Sequence, residues 1–599
     1  MIHAHEPELS HGSAVRALAR ASPLVLVLIL LFISARHSYF FADDFLNFST
    51  ARELGLTPEL LNRQLFGHWI PGRRLLDWIV QANRPISWDG VIGFVVVLVG
   101  VSALLLRRLA FQLTARPLLS WAVATMLPVT SATAATAQWW SGAAEPIAAL
   151  PFLLASCIGQ LSFLRHRRWW ALALALLCLA AAVLFDERTV PLAFVFPVLV
   201  WIVDRPRRTL RVIACVTAIG ALAIGWYLVQ RGFVQGAEIP PHPGLDTLVE
   251  FTSSGIVQNV LPSLVGVYAR PVSSIGGVPG LWFVGAAVLA GGLLLALSFR
   301  RHNVVLPLAW FIATATAIFA ATGYIRAEQF GASSALEPRY AAILMPFGLL
   351  AVACALSQIH PVFAAGNRRT VVAAVLALSL SLPGWGLVVL ANNSIGGTAH
   401  AWIDRYRETA SRYPGQPFFD ADVAAAVVPS LFFPASLLSR VLPTIDPTRS
   451  THVTGPTALM IAKDGTVSRG RITPVGTMTI AETSGLTADP ASGAGCLRAT
   501  TAAPSISFLV SPPLPNRRWF LQLQTTLDRS SEVRIIGWKN KESVNVGPNG
   551  IDIVHAAEGA STITAGLSSN VLGWVRAEFG PVKKICLSES VIGGLTPVK

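Results

Sequence analysis

The chain has 599 residues, 53% of them hydrophobic and only 13% charged, with a mean hydropathy of +0.57. A soluble protein would carry about a quarter charged residues, so a soluble globular enzyme is excluded. The formal net charge of +14 does not point to nucleic acid, because the basic residues fall in short loops between apolar blocks and read as topology signals. No Walker loop, zinc spacing or dinucleotide fingerprint occurs.

The apolar blocks are about 20 residues long, the length that crosses a bilayer. Arg16 and Arg20 precede the first, from Pro23 to Ser34. This resembles a signal peptide but is read as a retained span. The amino terminus is then cytoplasmic, and the following Phe40-Phe41-Ala42-Asp43-Asp44-Phe45 lies outside. A long outer loop, 38–89, holds Thr57-Pro58, a good helix start, with Gly67 as its expected end. Leu60, Leu61, Leu65 and Phe66 place that helix on the membrane surface. The loop also carries Arg52, Arg63, Arg73, Arg74 and Arg84, guanidinium groups suited to an anionic ligand.

The next spans alternate: 91–106, 118–137, 143–163, 169–185, 190–203 and 212–229. A second outer segment, 231–279, contains an apolar helical stretch from Leu245 to Tyr268, expected at the interface. Spans follow at 281–298, 304–321, 341–359 and 371–391. The result is a polytopic α-helical membrane protein with about eleven transmembrane helices, multi-pass in the cell membrane. Every expected cytoplasmic loop holds two or more arginines, while Asp43, Asp44, Glu145, Asp186, Glu187, Glu328 and Glu337 all fall outside.

From Asn392 the composition turns polar, Pro/Gly-rich and β-prone. The expected division is 1–391, the membrane domain, and 392–599, an extracytoplasmic β-rich domain. Trp402 to Tyr413 reads as a short amphipathic helix. Runs at 505–510, 519–523 and 533–536 read as strands of a β-sandwich. Cys157, Cys178, Cys215 and Cys354 lie in apolar spans. Cys496 and Cys586 are the two in the β-prone part. They pair if that part is outside the cytoplasm, and otherwise are two free buried thiols.

The candidate chemical groups lie at the outer face. Asp43 and Asp44 are neighbours whose side chains diverge in helix or strand, so one carboxylate at most faces a shared cavity. That one suits a general base taking a proton from an acceptor hydroxyl. The other suits a helix cap. A departing phosphate needs cations. Arg339 in Glu337-Pro338-Arg339-Tyr340 is the first candidate, and Arg188 in Asp186-Glu187-Arg188 the next. His68 and Arg73, in Gly67-His68-Trp69-Ile70-Pro71-Gly72-Arg73, are further ligand contacts. Trp139 and Trp140 suit either sugar stacking or an interfacial belt.

The placement of these groups resembles the GT-C class of membrane glycosyltransferases, which use polyprenyl-phosphate-linked sugars. Members carry one or two acidic residues just after the first span, where Phe41-Ala42-Asp43-Asp44-Phe45 stands. They often carry an Arg-Tyr near a late span, as at Arg339-Tyr340. Many from the actinobacterial envelope end in a β-rich extracytoplasmic module. The resemblance implies an inverting transfer from a polyprenyl-phosphate donor to an envelope glycan, lipid or protein, with Asp43 or Asp44 as base and Arg339 at the donor phosphate. Some members need a divalent metal and others do not; nothing in this sequence indicates a metal site. Two other readings stand beside it, a flippase or transporter of lipid-linked glycans and a non-catalytic glycan-binding membrane protein. Prolines within spans (Pro128, Pro151, Pro346 and Pro383) keep the transporter open, although no internal repeat is visible.

Overall fold

A computed structural model describes residues 11–64, 68–83, 86–204, 209–233, 242–267, 302–359, 387–451 and 457–597, apart from 389, 393, 430–431, 433, 494, 515–516, 540, 542–549, 557 and 570–571. The chain divides into two compact units, 1–400 and 401–599. The first is helical and the second largely β.

Among the described residues of the helical unit, four helices are long and apolar enough to cross a membrane: Trp88–Thr114, Trp140–His166, Thr209–Phe233 and Val304–Phe330. Shorter apolar helices run over Ala21–Ala35, Pro117–Val129, Trp169–Val183, Thr189–Asp204 and Met345–Gln358. The expected spans at 281–298 and, for the most part, 371–391 lie outside the described residues.

Several expectations are corrected. The apolar run 118–137 is not one helix. It breaks into Pro117–Met126, a tight turn at Leu127–Val129 and Ser131–Thr136. Pro128 cannot donate into a helical ladder, and the Thr130 hydroxyl accommodates the break by donating to the Leu127 carbonyl (2.9 Å). The helix opening at Pro58 is capped by Thr57, whose side chain accepts from Leu60 N–H, but it ends at Asn62. The expected continuation through Leu65, Phe66 and Gly67 lies outside the described residues. A second helix, Pro71–Ala82, follows. Its inward residues are Gly72, Arg73, Arg74, Asp77 and Gln81, while Leu75 and Ile79 are exposed. A rule that puts apolar residues inside reads this helix backwards.

The stretch expected from Leu245 to Tyr268 packs into the helical unit, and Tyr268 lies outside the described residues. Its helix Leu245–Ser254 continues through a wide turn, Gly255–Val260. Phe251, Ile256, Asn259 and Val260 are buried. Gly255 permits this approach, since a Cβ there would collide with the Phe319 ring. The helix His302–Phe330 runs nine residues beyond the expected end at 321, which carries Arg326 on its last turns.

Charged clusters mark both ends of the helical bundle. At one end Arg165 makes a bidentate pair with Asp204 (2.8 and 2.9 Å). Glu145 precedes the other end of the same 21-residue helix, Pro146–His166, about 30 Å away at 1.5 Å per residue. That is close to the hydrocarbon thickness of a bilayer. The functional candidates gather at the Glu145 end.

The second unit begins with the end of the helix Gly397–Ala410, and among its described residues it builds eleven strands, paired antiparallel. These are β1 (Thr457–Ile461), β2 (Val467–Ser484), β3 (Leu486–Ala488), β4 (Cys496–Ala499), β5 (Ser505–Leu514), β6 (Arg517–Leu527), β7 (Ser531–Trp538), β8 (Gly550–Ala556), β9 (Gly559–Ser569), β10 (Leu572–Phe579) and β11 (Lys584–Pro597). The long β2 is shared: its first half pairs with β1 and β11, its second with β5. On one side β10, β7 and β8 continue from β5. On the other, β11 pairs with β4 and β6, and β6 with β9. Both sets contribute to one apolar core, including Ile506, Phe508, Val533 and Val575 from the first and Trp519, Leu521, Ile563 and Ile585 from the second. Cys496 and Cys586 stand opposite each other in register and are disulfide-bonded. The other four cysteines are free.

Candidate functional site

The turn after the first helix fixes the two aspartates differently. Ala42, with φ 52°, precedes the helix Asp43–Leu54. Asp44 is fully buried and satisfied. Its Oδ1 accepts from the backbone N–H (2.7 Å) and hydroxyl (2.5 Å) of Ser141, and its Oδ2 from Phe41 N–H (3.1 Å). It therefore fastens the turn that leads into its own helix and ties it to a segment 97 residues away. Asn47 Nδ2 donates to Ser141 Oγ (3.2 Å), and Arg74 Nη1 to Asn47 Oδ1 (2.8 Å).

Asp43 is also buried, but its Oδ1 has no hydrogen-bond partner. Its Oδ2 lies 3.8 Å from Arg73 Nη2. Two other buried carboxylate oxygens of the cluster lack a hydrogen bond, but both face guanidinium groups: Asp77 Oδ2 at 3.6 Å from Arg73 and Glu337 Oε2 at 2.6 Å from Arg339. For Asp43 the guanidinium contact is made by Oδ2, and Oδ1 is without a hydrogen bond. Burial pushes the Asp43 carboxyl above the usual aspartate range, against the pull of Arg73 and Arg339. Burial raises Asp44 further, reinforced by the charge of Asp43 and opposed by the Ser141 and Phe41 hydrogen bonds.

Arg73 is the hub beneath these groups. It is wholly buried and contacts Glu145, Asp77 and Asp43. Asp77 is held in turn by Trp140 Nε1 (2.9 Å). Trp140 is thus an interior pillar and not a platform for a sugar. Trp139 carries the Arg339 guanidinium 4.6 Å above its ring and packs on Phe41.

The third group comes from two late turns. Arg339 pairs with Glu337. Arg188 forms a fork onto Asp186 (2.9 and 2.7 Å) and donates to the Arg339 carbonyl (3.2 Å). Tyr340 lies between them, with Arg188 5.6 Å and Arg339 5.3 Å from its ring centre. Asn259 donates to the carbonyls of Ala335 and Glu337 (2.9 and 3.0 Å), which fixes the Glu337 turn. Glu187 points the other way. It accepts from Trp69 N–H (3.3 Å) and Gln230 Nε2 (2.7 Å) and meets His68 Nδ1 at 3.4 Å.

Asp43, Asp44, His68, Arg73, Asp186, Glu187, Arg188, Glu337, Arg339 and Tyr340 thus gather at one end of the bundle. Asn47, Asp77, Ser141, Glu145 and Arg326 belong to the same network and were not read as site residues. The acidic pattern already separated Glu145. Ser141 carries no local signal, because its partner is 97 residues distant; Asp77 has the local pattern of Arg73 and Arg74 on its own helix, but its Trp140 partner is 63 residues away. No group of three or more His, Cys, Asp or Glu residues suited to a metal occurs among the described residues.

No family model matches the chain, and no curated protein is similar to it. Among solved structures it is similar to the arabinosyltransferase EmbB from Mycobacterium smegmatis, with 11% identity and a TM-score of 0.30 over 96% of this chain. The match spans 64% of that structure's chain. Likeness at that level carries no argument, so the reading below rests on the site's own geometry.

Proposed function

We propose that this chain is a membrane glycosyltransferase that moves a sugar from a polyprenyl-phosphate donor to a hydroxyl of an envelope glycan, lipid or protein at the outer membrane face. The observation that carries the reading is the contrast within the Asp pair: Asp44 is consumed by structural hydrogen bonds, while Asp43 keeps a buried oxygen without a partner. An acceptor of protons in a water-poor site, with a raised pKa, fits a general base.

In this mechanism Asp43 Oδ1 takes the proton of the acceptor hydroxyl as that oxygen bonds to the anomeric carbon. The bond from the anomeric carbon to the phosphate oxygen breaks on the opposite face, and its electron pair leaves with the lipid phosphate. The configuration inverts. Arg73 is the positioning residue for Asp43. The guanidinium groups around Tyr340 oppose the charge that develops on the phosphate. The β-rich unit, read as extracytoplasmic by its disulfide, has no step assigned to it.

The test is transfer by purified full-length protein from a polyprenyl-phosphate-linked sugar, comparing Asp43→Asn with Asp44→Asn. The reading expects the Asp43→Asn variant to lose activity with its fold and donor binding retained, and the Asp44→Asn variant to lose stability first. The interrupted helix at Pro128 favours the transporter as a second reading. A protein that moves a fluorescent lipid-linked sugar across vesicles, without forming product, would support it.

A further inference from the structure

Among the described residues at the Asp43 end stand Arg73, Arg74, Arg188, Arg339 and Arg326, and the first four already face carboxylates. Arg73 contacts Glu145, Asp77 and Asp43, and Arg74 contacts Asp77. Arg188 is held by Asp186 and Arg339 by Glu337. Arg326 is different. Only 9% of it is exposed, yet no carboxylate lies within ion-pairing distance of it among the described residues. Among the described residues it meets Nε2 of His68 and the ring of Phe330, 5.5 Å away.

The His68 contact has a definite polarity. A guanidinium only donates, so in this contact Nε2 is the acceptor. Nδ1 faces Glu187 Oε2 at 3.4 Å, and Glu187 is itself fixed by Trp69 and Gln230. The Glu187–His68 pair therefore orients Arg326, with the acid on the far side of the ring. One donor of the guanidinium fork is used, and the rest of a planar set suited to phosphate remains. A buried guanidinium without an anion is costly to keep.

The surroundings identify the kind of anion. Arg326 lies near the end of the helix His302–Phe330. Tyr324, Ile325 and Phe330 on the same turns are large, apolar and exposed. A headgroup at Arg326 would have its tail beside them.

We propose that Arg326, oriented by the Glu187–His68 pair, is the subsite for an anionic phosphate ester attached to a lipid chain. This rests on the glycosyl-transfer reading in identifying that ester as the phosphate of the sugar donor. Arg339 and Arg188 stand at the same end of the bundle, each already facing a carboxylate.

The test uses the full-length protein in nanodiscs, with farnesyl phosphate, farnesol and inorganic phosphate as probes and direct binding as the readout. Arg326→Gln should weaken farnesyl phosphate by about tenfold or more, the scale of a charge-assisted contact, and leave farnesol unchanged. Arg326→Lys should recover part of the loss, and His68→Ala should produce a smaller one. Inorganic phosphate should compete poorly; competition as strong as that of the lipid ester would overturn the lipid assignment in favour of a free-phosphate site. Unchanged farnesyl phosphate affinity in a folded Arg326→Gln protein, shown by intact farnesol binding, would overturn the subsite. Asp43→Asn separates the two readings. Lost transfer in that variant, with no effect of Arg326→Gln on binding, keeps the enzyme and removes the subsite. Normal transfer by Asp43→Asn, with farnesyl phosphate binding lost in Arg326→Gln, does the reverse.

Discussion

Both units bury apolar side chains, but they differ in what else they bury. The helical unit encloses charge at one end: Asp43, Asp44, Arg73, Arg74 and Asp77 are all buried, and each depends on a partner from a distant segment. The β unit encloses Leu, Ile, Val, Phe and Trp side chains between its strands. Apolar burial is the general source of stability and needs no particular partner. A buried ion is expensive unless its partner is in place. A cluster that contributes so poorly to stability is better explained by chemistry than by folding, whereas the β core is explained by folding alone.

That contrast can be broken first at Arg73. Arg73→Met leaves Asp77, Glu145 and Asp43 without their shared cation, and breaking a buried pair costs about 3–5 kcal/mol. The expected result is loss of the monodisperse folded protein in detergent. A wild-type melting profile would remove Arg73 from the centre of the network. In the β unit, Leu521→Ala deletes packing at a fully buried position and should cost about 2–5 kcal/mol. Donor binding by the helical unit should survive it. Reducing the Cys496–Cys586 bridge, which spans 90 residues, should cost about 2–4 kcal/mol, read as a lower midpoint for the β transition alone.

The pH dependence sharpens the same comparison. Burial holds the Asp43 proton above the ordinary range, so the basic form appears only as pH rises through that raised value. The transfer rate should climb over that interval and then level off. Stability runs the other way. A carboxyl raised in the folded state contributes most below its unfolded pKa, and that contribution is lost as pH rises through the folded one. Asp43→Asn should remove that component from the melting profile. The smallest expected change is at Ala42. Its positive φ disfavours any side chain, and Ala42→Gly should raise stability by up to about 1 kcal/mol.

Much of the site was legible because it clusters at chain exits. Asp43-Asp44 follows the first apolar run, and Asp186-Glu187-Arg188 and Glu337-Pro338-Arg339-Tyr340 follow later ones. Periodicity and composition also marked the β segment and its strands at 505–510, 519–523 and 533–536. What stayed hidden depends on contacts that no local pattern encodes. Ser141 decides which aspartate is free, yet it is an ordinary small residue. The helix Pro71–Ala82 turns its charges inward, against the usual rule. Arg326 fell in an expected loop because the apolar signal faded nine residues before the helix did.

The central claim is that Asp43 carries the chemistry while Asp44 holds the frame. The most direct measurement is single-turnover transfer from a polyprenyl-phosphate-linked sugar by purified Asp43→Asn protein that still binds the donor. Removing a general base should slow it by about 10²–10⁴-fold, whereas folded Asp44→Asn protein should stay closer to the wild-type rate. Wild-type turnover by the Asp43→Asn protein would contradict the account.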